Sequence, residues 1–321
     1  MMKKYLTITL ALVLTFSLAF AGFGSQEAAA QEDENLEFTL IAHSSAISFW
    51  RPVRQGMQDA AEQLGVDVNF TGPSQMNHRK QVSIIENAIS SGVDGIGTTI
   101  TSPTAYDDVI QKGLDQDIPI VAFNTDDTTE NPRMAYVGQT PYNAGQRMGR
   151  EITEYVDDGG KIVLLIGDPG HTAAEARMDG AQEVLDEHNI SYEAIDTTTD
   201  LAQATQNVMN YYNGHQDVDG WFGVTATATA GGIKAVEKLG IKGEVATGGF
   251  DLTPTTLNGI KNGYGNFTVD QIPYLQGYYT VHALYLYNKY AMSPSDINTG
   301  GGIIDQSNVD KVMDLAEEGY R

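Results

Sequence analysis

From Phe38 to Ile304 the chain alternates short apolar runs with stretches of helical periodicity. The repeat is about 25–30 residues, the length of one βαβ unit. Apolar runs of this kind read as strands covered on both faces, which is how a parallel sheet is buried. Strands are expected over 38–42, 66–70, 93–98 and 118–123, then over 134–137, 161–166, 192–195, 220–224, 244–248 and 266–269, with a short last strand from Ile303. Helices are expected over 49–64, 75–90, 102–115, 142–156, 173–188, 201–212, 229–239 and 254–262, and a long Tyr-rich one over 273–290. In the helix over 102–115, Pro103 stands in the first turn, where its fixed φ is welcome. With 321 residues and about 100–200 per domain, the pattern predicts an α/β protein of two Rossmann-like, doubly wound parallel-sheet lobes. The tyrosines at 274, 278 and 285 fall at helical spacing and read as core.

Residues 1–30 stand apart from that pattern. Lys3 and Lys4 precede an apolar run from Leu6 to Ala21, and small residues follow at Ala19-Phe20-Ala21 and Ala28-Ala29-Ala30. This is the layout of a secretory signal peptide, with cleavage after Ala21 or after Ala30. The run is shorter than the roughly 20 residues a spanning helix needs. Cysteine is absent, so no lipid can be attached through a thiol. The expected location is periplasmic or extracellular, without a lipid anchor.

Composition removes several classes of function. Without cysteine there is no disulfide scaffold, thiolate nucleophile, Cys-ligated zinc or iron–sulfur cluster. With 42 Asp+Glu against 19 Lys+Arg and a formal charge of −23, nucleic acid is an unsuitable partner, because phosphate contacts need clustered cations. The acidic residues are scattered along the chain, as suits a surface solvated in high external salt, and a halophilic source is expected. No G-x-S-x-G or P-loop occurs, and Gly95-Ile96-Gly97 lies within a strand instead of opening a helix. The six histidines contain no H-x-x-x-H pair and read as surface or packing residues, with only His43 at the end of a strand. No metal, no cofactor and no catalytic residue is expected.

In open parallel sheets ligands bind beyond the carboxyl ends of the strands. The residues found there are His43 and the Phe49-Trp50 pair after the first strand, Thr99 after the third and Asn124 after the fourth. In the second half they are His171, Arg177, Asp200, Thr225 and Asp251, and Gln271 precedes the Tyr-rich helix. Gln139, at the end of the first half, completes the set. Planar amide, carboxylate and guanidinium groups bond adjacent hydroxyls, and aromatic rings cover the C–H face of a sugar. These side chains therefore point to a polyhydroxylated ligand that is bound and not transformed.

The chain resembles the periplasmic sugar-binding proteins of the ribose/galactose/glucose type, the substrate-binding subunits of ABC importers. The resemblance spans about Phe38 to Val312. It is carried by Phe49-Trp50, by Ile118-Pro119-Ile120-Val121-Ala122-Phe123-Asn124 and by Val137-Gly138-Gln139. It continues through Ala176-Arg177-Met178-Asp179-Gly180, Gly248-Gly249-Phe250-Asp251-Leu252-Thr253-Pro254 and Thr268-Val269-Asp270-Gln271-Ile272-Pro273. It implies a periplasmic binding fold of type I, with three crossovers near Gln139, Gln271 and Thr299 as the hinge. The N-terminal lobe would comprise 36–139 plus 272–298, and the C-terminal lobe 140–271 plus 299–321. It also implies that Phe49 and Trp50 supply the aromatic pair, Asn124 the acid or amide after the fourth strand, Arg177 the guanidinium, Asp251 the aspartate and Gln271 the hinge glutamine. Thr225 stands where the family has asparagine, Asn124-Thr125 where ribose binders have Asp-Arg, and Ile47-Ser48 where a polar residue precedes the aromatic pair. Those departures leave a pentose, a hexose and a polyol all open. The implied protein is a monomer that hands its monosaccharide to a membrane permease. A signal receptor for an autoinducer or for chemotaxis is the alternative, and an exported α/β enzyme the weaker one. A sugar-responsive transcription regulator would need a DNA-binding segment where the signal peptide stands.

Overall fold

The computed structural model describes residues 35–127, 129–167 and 170–321. The expected signal peptide lies outside them. Leu36–Arg321 forms one compact unit built on two six-stranded sheets. Among the described residues no helix is long and apolar enough to cross a membrane.

The first sheet contains β1 (Glu37–Ile41), β2 (Asp67–Thr71), β3 (Gly95–Thr98), β4 (Ile120–Phe123) and β5 (Ala135–Gly138). The second contains β6 (Lys161–Ile166), β7 (Ser191–Asp196), β8 (Gly220–Gly223), β9 (Ala246–Phe250) and β10 (Phe267–Val269). Both run in the same spatial order, β2-β1-β3-β4-β5 and β7-β6-β8-β9-β10, with parallel pairing throughout. Each sheet thus has a topological switch point beside its first strand, where a crevice opens at the carboxyl ends. A sixth strand closes each outer edge. β11 (Ile297–Asn298) joins β5 in parallel, whereas β12 (Ile303–Asp305) lies antiparallel to β10.

The helices are α1 (Trp50–Leu64), α2 (His78–Ser91), α3 (Asp107–Leu114), α4 (Pro141–Ile152), α5 (Thr172–Glu187), α6 (Leu201–Gly214), α7 (Ala226–Leu239), α8 (Pro254–Lys261), α9 (Pro273–Tyr290) and α10 (Val309–Glu318). Local chemistry sets their ends. Asn77, Asp200, Thr225 and Thr253 accept backbone N–H groups at the starts of α2, α6, α7 and α8. Gly65, Gly92 and Gly240 close α1, α2 and α7 in the left-handed conformation. One core layer packs α1 and α9 on the first sheet through Phe38, Trp50, Val53, Phe123 and Leu284. Its counterpart packs α4 and α5 on the second through Met148, Ile162, Ala181, Phe222 and Phe267.

Three features depart from the sequence expectation. α3 begins at Asp107, not near Ser102. Tyr106 is fully buried and donates its hydroxyl to Gln81 Oε1 at 2.8 Å, so the chain from Pro103 loops inward before the helix starts. β11 and α10 were not expected. The first has only two residues, and α10 contributes Val309 and Val312 to a small cluster with Leu257 and Ile260 of α8. The tyrosines of α9 behave as structure. Tyr274 and Tyr278 stack at 5.9 Å and reach Asp59 and Gln63 of α1 through their hydroxyls.

Candidate functional site

The carboxyl ends of the two sheets face each other across a cleft of about 450 Å³. That is within the roughly 300–1,000 Å³ of small-molecule sites. His43, Phe49, Trp50, Asn124, Arg177, Thr225, Asp251 and Gln271 all line it. Eight of the expected site residues therefore meet in one place.

The wall from the first sheet is aromatic and neutral. Phe49 is half-buried at the entry to α1. Trp50 is 1% exposed and sits edge-on to Phe49, His43 and Phe123 at 5.0, 5.3 and 5.9 Å. Its indole N–H donates to the Ser44 carbonyl. Trp50 is thus chiefly the staple of α1 to the sheet, and Phe49 carries most of the aromatic surface that the cleft receives. Asn124 follows β4 with φ 63°, a conformation asparagine tolerates better than most residues. Its amide donates to Gln276 Oε1 at 3.0 Å and accepts from the Thr125 hydroxyl at 2.9 Å.

The wall from the second sheet is charged. Arg177 projects from α5, with Nη1 donating to the Val224 carbonyl at 3.1 Å and its guanidinium 4.2 Å over the Phe250 ring. Asp251 follows β9 and accepts from Gln271 Nε2. Burial pushes the Asp251 carboxyl up to about 6, against the pull of the Arg177 charge and of the Gln271 amide. Burial likewise lowers Arg177 from its ordinary value, with Asp251 and Tyr136 opposing. Two polar atoms of this wall are buried without a partner, Arg177 Nε and Gln271 Oε1. One is a donor and the other an acceptor. Leaving such groups unpaired costs about 1–3 kcal/mol each, and both belong to residues that line the cleft.

Three expected site residues lie elsewhere. Asp200 is exposed and caps α6 through the Gln203 N–H at 2.8 Å; a helix start outcompeted the cleft for its carboxylate. Thr99 stands one layer behind the wall, at 3.3 Å from His43 Nδ1 and 3.2 Å from Gln81 Nε2. Gln139 belongs to the crossovers. It donates to the Gly300 carbonyl at 3.0 Å and to the Asp270 carbonyl at 3.5 Å, joining the three connecting segments.

Those segments form one buried network. Thr299 donates to the Gln271 carbonyl at 2.9 Å, and Gln276 reaches both Gln271 and Thr299 at 3.4 Å. Asp270 pairs with Arg321 at 2.6 Å. Ile272 sits between them with φ 51°, a strained position for a β-branched residue.

His171 follows β6 in the sequence and, with the other histidines, reads as a surface or packing residue; in the structure it lines the cleft. It caps α5 by accepting the Ala174 N–H at 3.4 Å. Its ring stands 5.5 Å from that of His43 at 88°. Ser44, Ser74, Gln75, Met76 and Thr125 also line the cleft and were not chosen. The rule that selected the others, position just after a strand, points equally to the segment after β2.

The family described as periplasmic binding protein domain matches residues 38–289. Over 294 residues the chain is 34% identical to the Xylose/arabinose-binding protein XylF of Sulfolobus acidocaldarius, a match covering 87% of this chain and 73% of that one. A solved ABC sugar transporter protein (periplasmic sugar binding protein) from Legionella pneumophila superposes with a TM-score of 0.77 at 30% identity, covering 82% of this chain and 99% of that one. An ABC transporter solute-binding protein from Burkholderia graminis, solved with D-arabinose, superposes with a TM-score of 0.81 at 26% identity, over 85% and 96% of the two chains.

Proposed function

Because this chain belongs to the periplasmic binding protein family, we propose that it is an exported receptor that holds an uncharged sugar or polyol in the interlobe cleft and hands it on unchanged to a membrane permease. A pentose is the first choice of ligand. XylF of Sulfolobus acidocaldarius is named for xylose and arabinose, and the Burkholderia graminis protein holds D-arabinose. The observation that carries the reading is the convergence of Arg177, Asp251, Gln271 and Asn124 with Phe49 on one cleft. A hydroxyl group accepts one hydrogen bond and donates another, so vicinal hydroxyls satisfy Arg177 and Gln271 together while Asp251 takes a further donor. Phe49 covers the C–H face of the ring. His43, Asn124 and Thr225 complete the polar rim, and Trp50 fixes the position of Phe49.

The lobes proposed to close are 36–139 plus 272–298 and 140–271 plus 299–321. The hinge is the Gln139–Gln271–Thr299 network, with the φ of Ile272 as its strained element. A ligand drives closure only through contacts made better in the closed form, and contacts from both walls supply them. The test is a thermal-shift screen of the mature protein with D-xylose, L-arabinose, D-ribose, D-glucose, D-galactose and myo-inositol. A ligand at 100 times its dissociation constant adds about 2.7 kcal/mol of apparent stability. A pentose is expected to give the largest shift. No shift with any of the six would end the reading, and recovery of a chemically altered sugar would end its non-enzymatic part.

A further inference from the structure

His43 and His171 come from opposite walls of the cleft, one from the end of β1 and the other from the start of α5, and their rings meet edge to face. Each is held in a definite state. His43 is 8% exposed and shares a hydrogen bond with Thr99 Oγ1. His171 Nδ1 is used as an acceptor for the Ala174 N–H, so in the neutral ring the proton sits on Nε2. We propose that this pair is a proton-operated catch between the lobes: neutral rings allow closure on the ligand, and protonation forces the lobes apart and releases it. The inference rests on the interlobe cleft being the ligand site and adds regulation to it.

Three effects of a proton act in the same direction. A protonated His171 has no lone pair left on Nδ1, so the cap on α5 is lost, and α5 carries Arg177. A positive ring at a helix N-terminus also opposes the helix dipole. Finally, cations accumulate in a small space. His171 faces Arg177 on its own helix, His43 across the cleft and His78 at the start of α2; His43 faces His171 and His78. Glu175 does not offset them, because it is exposed and its carboxylate accepts the Gly170 N–H at 3.0 Å. Asp251 is the one acid lining the cleft among the described residues, and burial raises its own protonation point to about 6. Burial, with Arg177 next, pushes His171 down to about 4, and burial, with His171 next, pushes His43 down to about 3.

If the open form returns both rings to the ordinary 6.5, closing on ligand below that pH must expel two protons. By linkage the affinity then falls about tenfold per proton per pH unit. D-xylose and L-arabinose are titrated calorimetrically at fixed ionic strength between pH 7.5 and 5.5. For the wild type the two rings should raise the dissociation constant about a hundredfold over that span, less about fourfold returned by Asp251, whose value near 6 in the closed form makes closure take up a proton. His171→Asn keeps a capping oxygen on α5 and cannot titrate. With His43→Asn it should abolish the rise. An unchanged affinity in the wild type, or the same steep rise in the double variant, would overturn the catch. Should neither pentose bind at pH 7.5, the pentose assignment fails by itself. The ring C2–H resonances of the ligand-free, open protein then decide the catch: midpoints near 6.5 support it, and midpoints below about 5, which would leave closure no proton to expel, refute it.

Discussion

Asn124 and Asp251 occupy the same place in the two lobes. Each follows the fourth strand of its sheet, each has a left-handed φ, 63° and 76°, and each donates its N–H at 3.0 Å to the last residue but one, or the last, of the neighbouring fifth strand, Val137 and Val269. The backbone position is therefore a property of the fold, repeated twice. The chemistry placed on it is not repeated. The first lobe offers an amide already engaged by Gln276 and Thr125, beside neutral imidazole and aromatic rings. The second offers a carboxylate, with a buried guanidinium and two unpartnered atoms. In the reading proposed above, one lobe shapes the cleft and covers a ligand face, and the other supplies the strong directional bonds.

If that division is right, the lobes should respond unequally to loss of their polar groups. Arg177→Met removes the only guanidinium lining the cleft among the described residues and leaves Asp251 buried beside no cation. Truncating one member of a buried charged set weakens binding by about 2–5 kcal/mol. Asp251→Ala should weaken it by about 1.5–3 kcal/mol, the scale of a hydrogen bond to a charged group. Asn124→Ala, the matching change in the other lobe, should weaken it by about 0.5–1.5 kcal/mol. Calorimetry with a pentose checks all three, and equal losses at Asn124 and Asp251 would erase the distinction between lobes.

A second contrast lies behind the walls. In both lobes two helices approach so closely that a glycine is required at the contact. A Cβ on Gly56 of α1 would stand 2.0 Å from the Tyr274 carbonyl oxygen of α9, and one on Gly145 of α4 would stand 2.0 Å from the Arg177 carbonyl oxygen of α5. The device is the same, but only Gly145 abuts the backbone of a cleft residue. Alanine at either site should lower stability by about 1–3 kcal/mol, as overpacking does. Gly145→Ala should also weaken pentose binding several-fold, while Gly56→Ala should leave it within about twofold once temperature is lowered to keep both variants folded. Comparable affinity losses in the two variants would mean that α5 is not what positions Arg177.

How much of this was legible before the structure follows from where the information resides. The strands were readable because buried parallel strands are apolar on both faces, as in Lys161–Ile166, whose bounds agree with expectation. The rule that ligands sit beyond strand ends picked out Arg177, Asp251, Gln271 and Asn124, which line the cleft. It did not separate capping from facing the cleft. Asp200 and His171 both start a helix in the second lobe, yet only His171 also reaches the cleft, because that choice depends on side-chain direction and on the approach of the opposite lobe. Thr99 and Gln139 were near the right place and one layer away. β11 escaped because two residues carry no periodicity, and the late start of α3 followed from a long-range hydrogen bond, Tyr106 to Gln81, that local pattern cannot encode.

The imidazoles and the carboxylate of the cleft also differ in how acid should act on the folded protein itself. With the two rings together, as in the closed form, burial holds His43 and His171 well below their ordinary value. The unfolded chain thus binds more protons between pH 6.5 and about 4, and stability present above 6.5 is lost as pH falls. Asp251 has the opposite sign. Its raised value, about 6, means that the folded state takes up a proton first, so stability is gained as pH falls from 6 towards the unfolded value. These three groups alone leave a net loss of at most about 1.4 kcal/mol per pH unit between pH 6 and 4.5, opposed by Asp107, Asp126, Glu151 and Asp270, which burial also raises. Urea unfolding with saturating pentose should therefore lose stability more steeply with acid in the wild type than in the His43→Asn, His171→Asn double variant, and Asp251→Asn should steepen the fall. The same pH dependence in wild type and double variant would remove the histidines from the account.

The smallest effect separates the cleft from the surface that both lobes share. A formal charge of −23 is carried largely by exposed carboxylates, with exposed ion pairs such as Lys261–Asp310 and Lys112–Glu86 of the kind that contribute about 0–1 kcal/mol each. Raising salt from 0.1 to 1 M shortens the screening length from about 10 Å to about 3 Å, which weakens these pairs but weakens the net repulsion more. The melting temperature should therefore rise with KCl by a few degrees, as expected for a protein suited to saline surroundings. Buried charges are screened much less, so the ratio of pentose affinities between wild type and Arg177→Met should stay constant across the same series. A melting temperature that does not rise would refute the saline adaptation, and a ratio that collapses towards one would show that Arg177 acts through solvent instead of within the closed cleft.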